Sequence, residues 1–210
     1  MRYMGARPPV LRLLSVKAWS AGVGGGLLIL FALFAEQLFQ AGVVGMGTLY
    51  MARGLGAMLG PLVARRFVGE TPAAMGRMIS VAFFISASFH LTFAYMPSLW
   101  LAAAALFLAT MAANVLLVFS STLLQLSVPD AYRGRVFATD FALFTVVMSV
   151  STFMTGWSLD HSTATPRTLA AILGGLLFLP GLFWLPTALR RQPVLSLSSA
   201  SSAAQGEIHE

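Results

Sequence analysis

Residues 98–125 read SLWLAAAALFLATMAANVLLVFSSTLLQ and contain no charged side chain. A helix rising 1.5 Å per residue crosses the hydrocarbon core of a bilayer in about 20 apolar residues. This run therefore reads as a membrane-spanning helix, long enough to tilt or to extend beyond the core. Working outward, the same pattern recurs at 18–39, 43–64 and 78–95 on one side, and at 136–157 and 168–189 on the other. Six such stretches predict an all-α fold, a polytopic membrane protein with six transmembrane helices.

The composition agrees. Of 210 residues, 58% are hydrophobic and only 10% charged, and the mean hydropathy is +0.82. A soluble domain carries about 25% charged residues, so this chain lacks the means to coat a water-facing surface. There are no cysteines, which removes disulfides, thiolate metal sites and cysteine nucleophiles from consideration. The first apolar run exceeds the 7–15 residues of a signal-peptide core, so it is expected to remain as a span.

The net charge of +6 is a matter of topology rather than of nucleic-acid binding, because the basic residues lie in short runs between apolar stretches. Eleven of the 13 Lys and Arg fall in alternate connections: Arg2, Arg7, Arg12, Lys17, then Arg65, Arg66, Arg77, then Arg133, Arg135, then Arg190, Arg191. Only Arg167 lies on the opposite side, and Arg53 lies within a span. The positive-inside rule places both termini in the cytoplasm of a multi-pass cell-membrane protein. Residues 1–17 read as a cytoplasmic basic segment whose stretch 10–17 lies on the membrane surface. Residues 18–190 read as the transmembrane bundle, and the Ser/Ala-rich 191–210 as a disordered cytoplasmic tail.

Within the spans the polar residues stand out. Arg53 lies twelve residues before Arg65, roughly 18 Å into the membrane, where a charge costs several kcal/mol. It is either a substrate, proton or gating contact, or one side of a structural interhelical bridge. Glu36 and Asp140 differ from it in depth by roughly 10 Å, so no internal partner is expected. Asp140 suits the positive end of a helix dipole. Asn114, the only Asn, either meets substrate or bonds a neighbouring helix. His90 reads as a packing residue. The pairs Gly22–Gly26 and Gly56–Gly60, with Gly54 beside the second, are G-x-x-x-G patterns for close helix approach. Neither H-E-x-x-H nor G-x-S-x-G is present and the three His are scattered, so no enzyme activity, metal or cofactor is expected.

Two segments resemble a known family. Residues 47–61, GTLYMARGLGAMLGP, resemble the eighth helix of major facilitator superfamily transporters. Residues 122–137, TLLQLSVPDAYRGRVF, resemble the loop between that family's helices ten and eleven, most like the bacterial drug and siderophore exporters. Residues 2–14 are similar to the end of the family's central cytoplasmic loop. In the cytoplasmic motif Gly-x-x-x-Asp-Arg-x-Gly-Arg-Arg, Gly60 and Arg65 match, while Ala64 and Phe67 depart. The resemblance implies one half of a major facilitator fold, with the six spans as helices seven to twelve. It implies a small-molecule efflux transporter of the inner membrane, with proton coupling usual for the group. Its partners would be the lipid bilayer and an N-terminal six-helix half or a second copy of the chain. It further implies that Arg53, Asp140, Gly54, Gly56 and Gly60 face the other half and that Asn114 lines the substrate path. Pro129, Asp130, Arg133, Gly134 and Arg135 would form a cytoplasmic latch in which Gly134 makes a tight turn. The alternative is a truncated or non-transporting membrane protein acting as an interaction module.

Overall fold

The computed structural model describes residues 8–68 and 71–189, and every regular element among them is helical. Helix α1 spans Pro8–Leu33 and runs into a π-helical turn at Phe34–Leu38. It is followed by α2 (Gly42–Val68), α3 (Pro72–Tyr95), α4 (Leu99–Ser127), α5 (Asp130–His161), α6 (Pro166–Leu176) and α7 (Phe178–Leu189). In hydrocarbon a backbone must satisfy its own N–H and C=O groups, which leaves the helix as the open-chain solution. Pro72 and Pro166 open α3 and α6, where a missing N–H costs nothing.

Five segments are long and apolar enough to cross a membrane: Val10–Leu38, Pro72–Tyr95, Leu99–Ser127, Asp130–His161 and Pro166–Leu185. The chain thus has the makings of a multi-pass helical membrane protein. The sixth expected span, α2, has 27 residues, but with Arg53 and its glycines it is not among these five.

Several boundaries differ from expectation. Residues 10–17 are not a separate surface segment. They form the first turns of α1, with Val10, Leu13, Leu14, Val16 and Lys17 buried. The expected loop 129–135 shrinks to Val128 and Pro129, because α5 starts at Asp130. Gly134 consequently lies inside a helix and makes no turn. The last span breaks at Leu177 into α6 and α7. Pro180 has no N–H to offer the Leu176 carbonyl, and the Leu177 N–H bonds the Gly174 carbonyl instead, at 3.2 Å. The expected tail, 191–210, and residues 1–7 lie outside the described residues.

Helix α4 packs against α1, α2 and α3, whereas α3 also carries α6 and α7. Helix α5 rests chiefly on α1, and α2 chiefly on α4. Near the turn after α1, Phe34 stacks on Phe93 (centroids 4.7 Å), and Phe31 meets the edges of Phe93 and Tyr50. This cluster ties α1, α2 and α3 together. The chain then reverses through Gln40 and Gly42, with φ of 50° and 51°. Glycine suits that left-handed geometry because it has no Cβ.

Candidate functional site

Glycine decides which helices approach one another. A Cβ at Gly56 would run into the Phe107 carbonyl oxygen and Thr110 Oγ1, and one at Gly60 into the Met111 carbonyl oxygen. Both glycines therefore seat α2 directly on the backbone of α4. On the other side of the bundle, a Cβ at Gly25 would collide with the Met148 carbonyl, and one at Gly26 with Thr155 Oγ1 and Leu173. The α1–α5 contact is sealed by hydrogen bonds from Ser151 Oγ to the Gly22 carbonyl and from Thr152 Oγ1 to the Gly25 carbonyl. Gly56 and Gly60 were expected on the face toward another half. They are instead used within the chain, since a small-residue groove takes the nearest helix that fits it. Gly54 differs: nothing lies within 4 Å of its added Cβ.

Between these two helix pairs lies a cleft of about 180 Å³. Its α1 wall includes Ser20, Gly24 and Phe31, and its α2 wall Arg53, Gly54 and Ala57. Ser86 and His90 of α3, Thr110 and Asn114 of α4, and Phe144 and Met148 of α5 complete it. The structure thus gathers Arg53, Gly54 and Asn114 in one place, although the sequence assigned Arg53 and Gly54 to an interface and Asn114 to a path. Ser86, Thr110 and Ser20 were missed. The sequence did hold a signal for two of them: Ser86–His90 and Thr110–Asn114 are i,i+4 pairs, which share a helix face.

The hydrogen bonds of the cleft are specific. Asn114 Nδ2 donates to the Thr110 carbonyl at 2.9 Å, leaving its second N–H and its Oδ1 available. Thr110 Oγ1 donates to the Leu106 carbonyl at 2.8 Å. His90 Nδ1 donates to the Ser86 carbonyl at 2.9 Å, so Nε2 is the remaining ring nitrogen. The Ser20 hydroxyl is buried with no hydrogen-bond partner among the described residues. Among the described residues, no Asp or Glu lines the cleft.

Asp140 lies elsewhere. It is buried and bonded to Lys17 Nζ of α1, and Lys17 also sits 5.6 Å from the Phe137 ring centroid. Asp140, which the resemblance turned toward another half, is instead held inside the bundle by Lys17, itself read from the sequence as a loop cation. Of the expected latch, Arg133 pairs with Asp130 at 2.7 Å and donates to the Gln125 carbonyl at 3.4 Å, which joins the end of α4 to the start of α5. Arg135 and Gly134 are exposed on the first turns of α5, and Pro129 caps it.

A larger, shallower depression of about 350 Å³ lies between α1, α5 and α6. Its two hydroxyls, Ser15 and Ser151, already bond the Arg12 and Gly22 carbonyls. Its surface is otherwise almost wholly apolar, and it offers no chemistry. Among the described residues no three His, Cys, Asp or Glu converge as a metal site would require.

Comparisons with protein-family models, with curated proteins and with solved structures give no match. The class rests on the helices alone, which are those of a multi-pass α-helical membrane protein, and the described residues enclose a polar cleft.

Proposed function

We propose that this chain is the second six-helix half of a small-molecule efflux transporter, with α2 counted as its sixth span and the cleft as its share of the substrate path. The observation that carries the reading is the convergence of Arg53, Asn114 and His90 on one cleft roughly 18 Å inside the basic end of α2. Polar groups at that depth are costly and typically mark a solute pathway. Transporters of this architecture set two bundles around one midplane site. The resemblance of residues 47–61 and 122–137 to major facilitator exporters points the same way. A second half, or a second copy of the chain, would then close the cleft between α2 and α5. Proton coupling and a bacterial inner-membrane location rest on the same resemblance, and cytoplasmic termini on the asymmetry of the basic residues.

The test is accumulation of a panel of fluorescent dyes and labelled small acids. The host cells lack their own exporters and express the chain with a separate six-helix half or as its own oligomer. Energy-dependent loss of at least one compound is expected, and Gly54→Trp, which fills the cleft, should abolish it. Unchanged accumulation of every compound would favour a non-transporting interaction module. Efflux that survives the filled cleft would move the path elsewhere.

A further inference from the structure

The chemistry of the cleft selects one class of ligand. Arg53 carries a full charge and five N–H donors, and it has no hydrogen bond or ion pair among the described residues. The described carboxylates are all placed elsewhere. Asp140 holds Lys17, Asp130 holds Arg133, and Glu36 and Asp160 are exposed. Glu70, Glu207 and Glu210 lie outside the described residues. The same cleft holds two further donors, the second Asn114 N–H and the unpartnered Ser20 hydroxyl, and two neutral acceptors, Asn114 Oδ1 and His90 Nε2, so the charge of Arg53 is left without a counter-ion among the described residues. Val23, Leu27, Phe31, Leu117 and Phe144 supply the apolar walls, and Ser86, His90 and Thr110 also line the cleft.

We infer that the cleft binds a small organic monoanion, a carboxylate on a compact apolar body, with Arg53 as its counter-ion. This rests on the cleft being a solute site, and it adds the substrate class. Charge sets the valence, because one guanidinium in a low-dielectric site neutralises one negative charge. A phosphate dianion would leave a net charge buried. Geometry sets the head group, since the planar guanidinium fork matches a carboxylate in two parallel hydrogen bonds. Volume sets the body: about 180 Å³ lies below the roughly 300–1,000 Å³ of drug-sized pockets. A single ring or a short branched chain fits.

The experiment uses the purified full chain in lipid nanodiscs. Thermal unfolding is followed with benzoate, neutral benzamide and cationic benzylamine as probes. Benzoate should raise the midpoint, and the other two should not. Arg53→Gln should weaken benzoate binding by at least about tenfold, and Arg53→Lys should retain part of it. Asn114→Asp places a carboxylate in the cleft that Arg53 lines and should abolish benzoate binding while leaving the protein folded. That variant keeps the test meaningful should Arg53→Gln fail to fold. Benzamide stabilising as well as benzoate, benzoate binding intact in Asn114→Asp, or no stabilisation by benzoate would each overturn the inference. Benzoate binding without flux of any compound in cells would leave the anion site standing and remove the transporter reading. Flux of cations or neutral compounds alone would do the reverse.

Discussion

At the residue scale, the Lys17–Asp140 pair shows how a buried charge becomes tolerable. Both residues are more than nine-tenths buried, at 8% and 5% exposure, and α1 and α5 meet through them. Asp140 Oδ1 has no second partner among the described residues, so half of the carboxylate is desolvated without compensation. Breaking a buried pair strands the survivor at a cost of about 3–5 kcal/mol, whereas apolar replacement of both partners is often neutral or stabilising. Lys17→Leu and Asp140→Leu should therefore each lower the thermal midpoint of the detergent-solubilised chain markedly. The double variant should recover most of the loss. Additive losses in the double variant would show that the two side chains act independently.

At the element scale, two glycines two positions apart on α2 should behave in opposite ways. Gly56 abuts the Phe107 carbonyl and Thr110 Oγ1, whereas Gly54 has open space where a Cβ would stand. Gly56→Ala should push α2 off α4 at a cost of about 1–3 kcal/mol, the usual penalty of overpacking. Gly54→Ala should be neutral or slightly stabilising, because alanine is the better helix former by about 1 kcal/mol. Chemical unfolding of the two variants side by side decides it, and equal losses would mean that the α2–α4 contact does not depend on the groove. This contrast also marks what the sequence reveals. The G-x-x-x-G spacing announces a close approach, but not which helix comes near, because any helix with a flat face answers to it. Span centres are legible from hydropathy, yet their starts are not: 10–17 carries Arg12 and Lys17 and still belongs to α1. The Lys17–Asp140 pair joins residues 123 positions apart, a separation at which local pattern is silent. Arg53 and Asn114 could each be singled out as costly or rare. Only the packing of α1, α2 and α4 brings them into one cleft.

At the scale of the whole molecule, the proposed orientation rests on one cation fewer than the sequence suggests. Lys17 no longer counts as a loop cation, since it is buried against Asp140. Arg65 and Arg66 stay at the last turn of α2, Arg77 in the first turns of α3, and Arg133 and Arg135 at the start of α5. Alternate helices reverse direction, so these ends share one side of the bundle. The single cation of the other side, Arg167, has a structural occupation: its Nη1 donates to the Ala94 carbonyl at 3.3 Å. That position, at the C-terminal end of α3, is where a helix dipole favours a cation. That bond gives Arg167 a structural reason to lie on the side the proposed positive-inside orientation leaves poor in cations. The chain has no native cysteine, which makes single-cysteine labelling unambiguous. Ala131→Cys lies at the exposed start of α5, and Thr163→Cys in the exposed bend between α5 and α6. In intact cells an impermeant maleimide should modify Thr163→Cys, and Ala131→Cys only after the membrane is opened. Labelling in the opposite order would invert the bundle, and labelling of both in intact cells would mean that α5 does not cross the membrane.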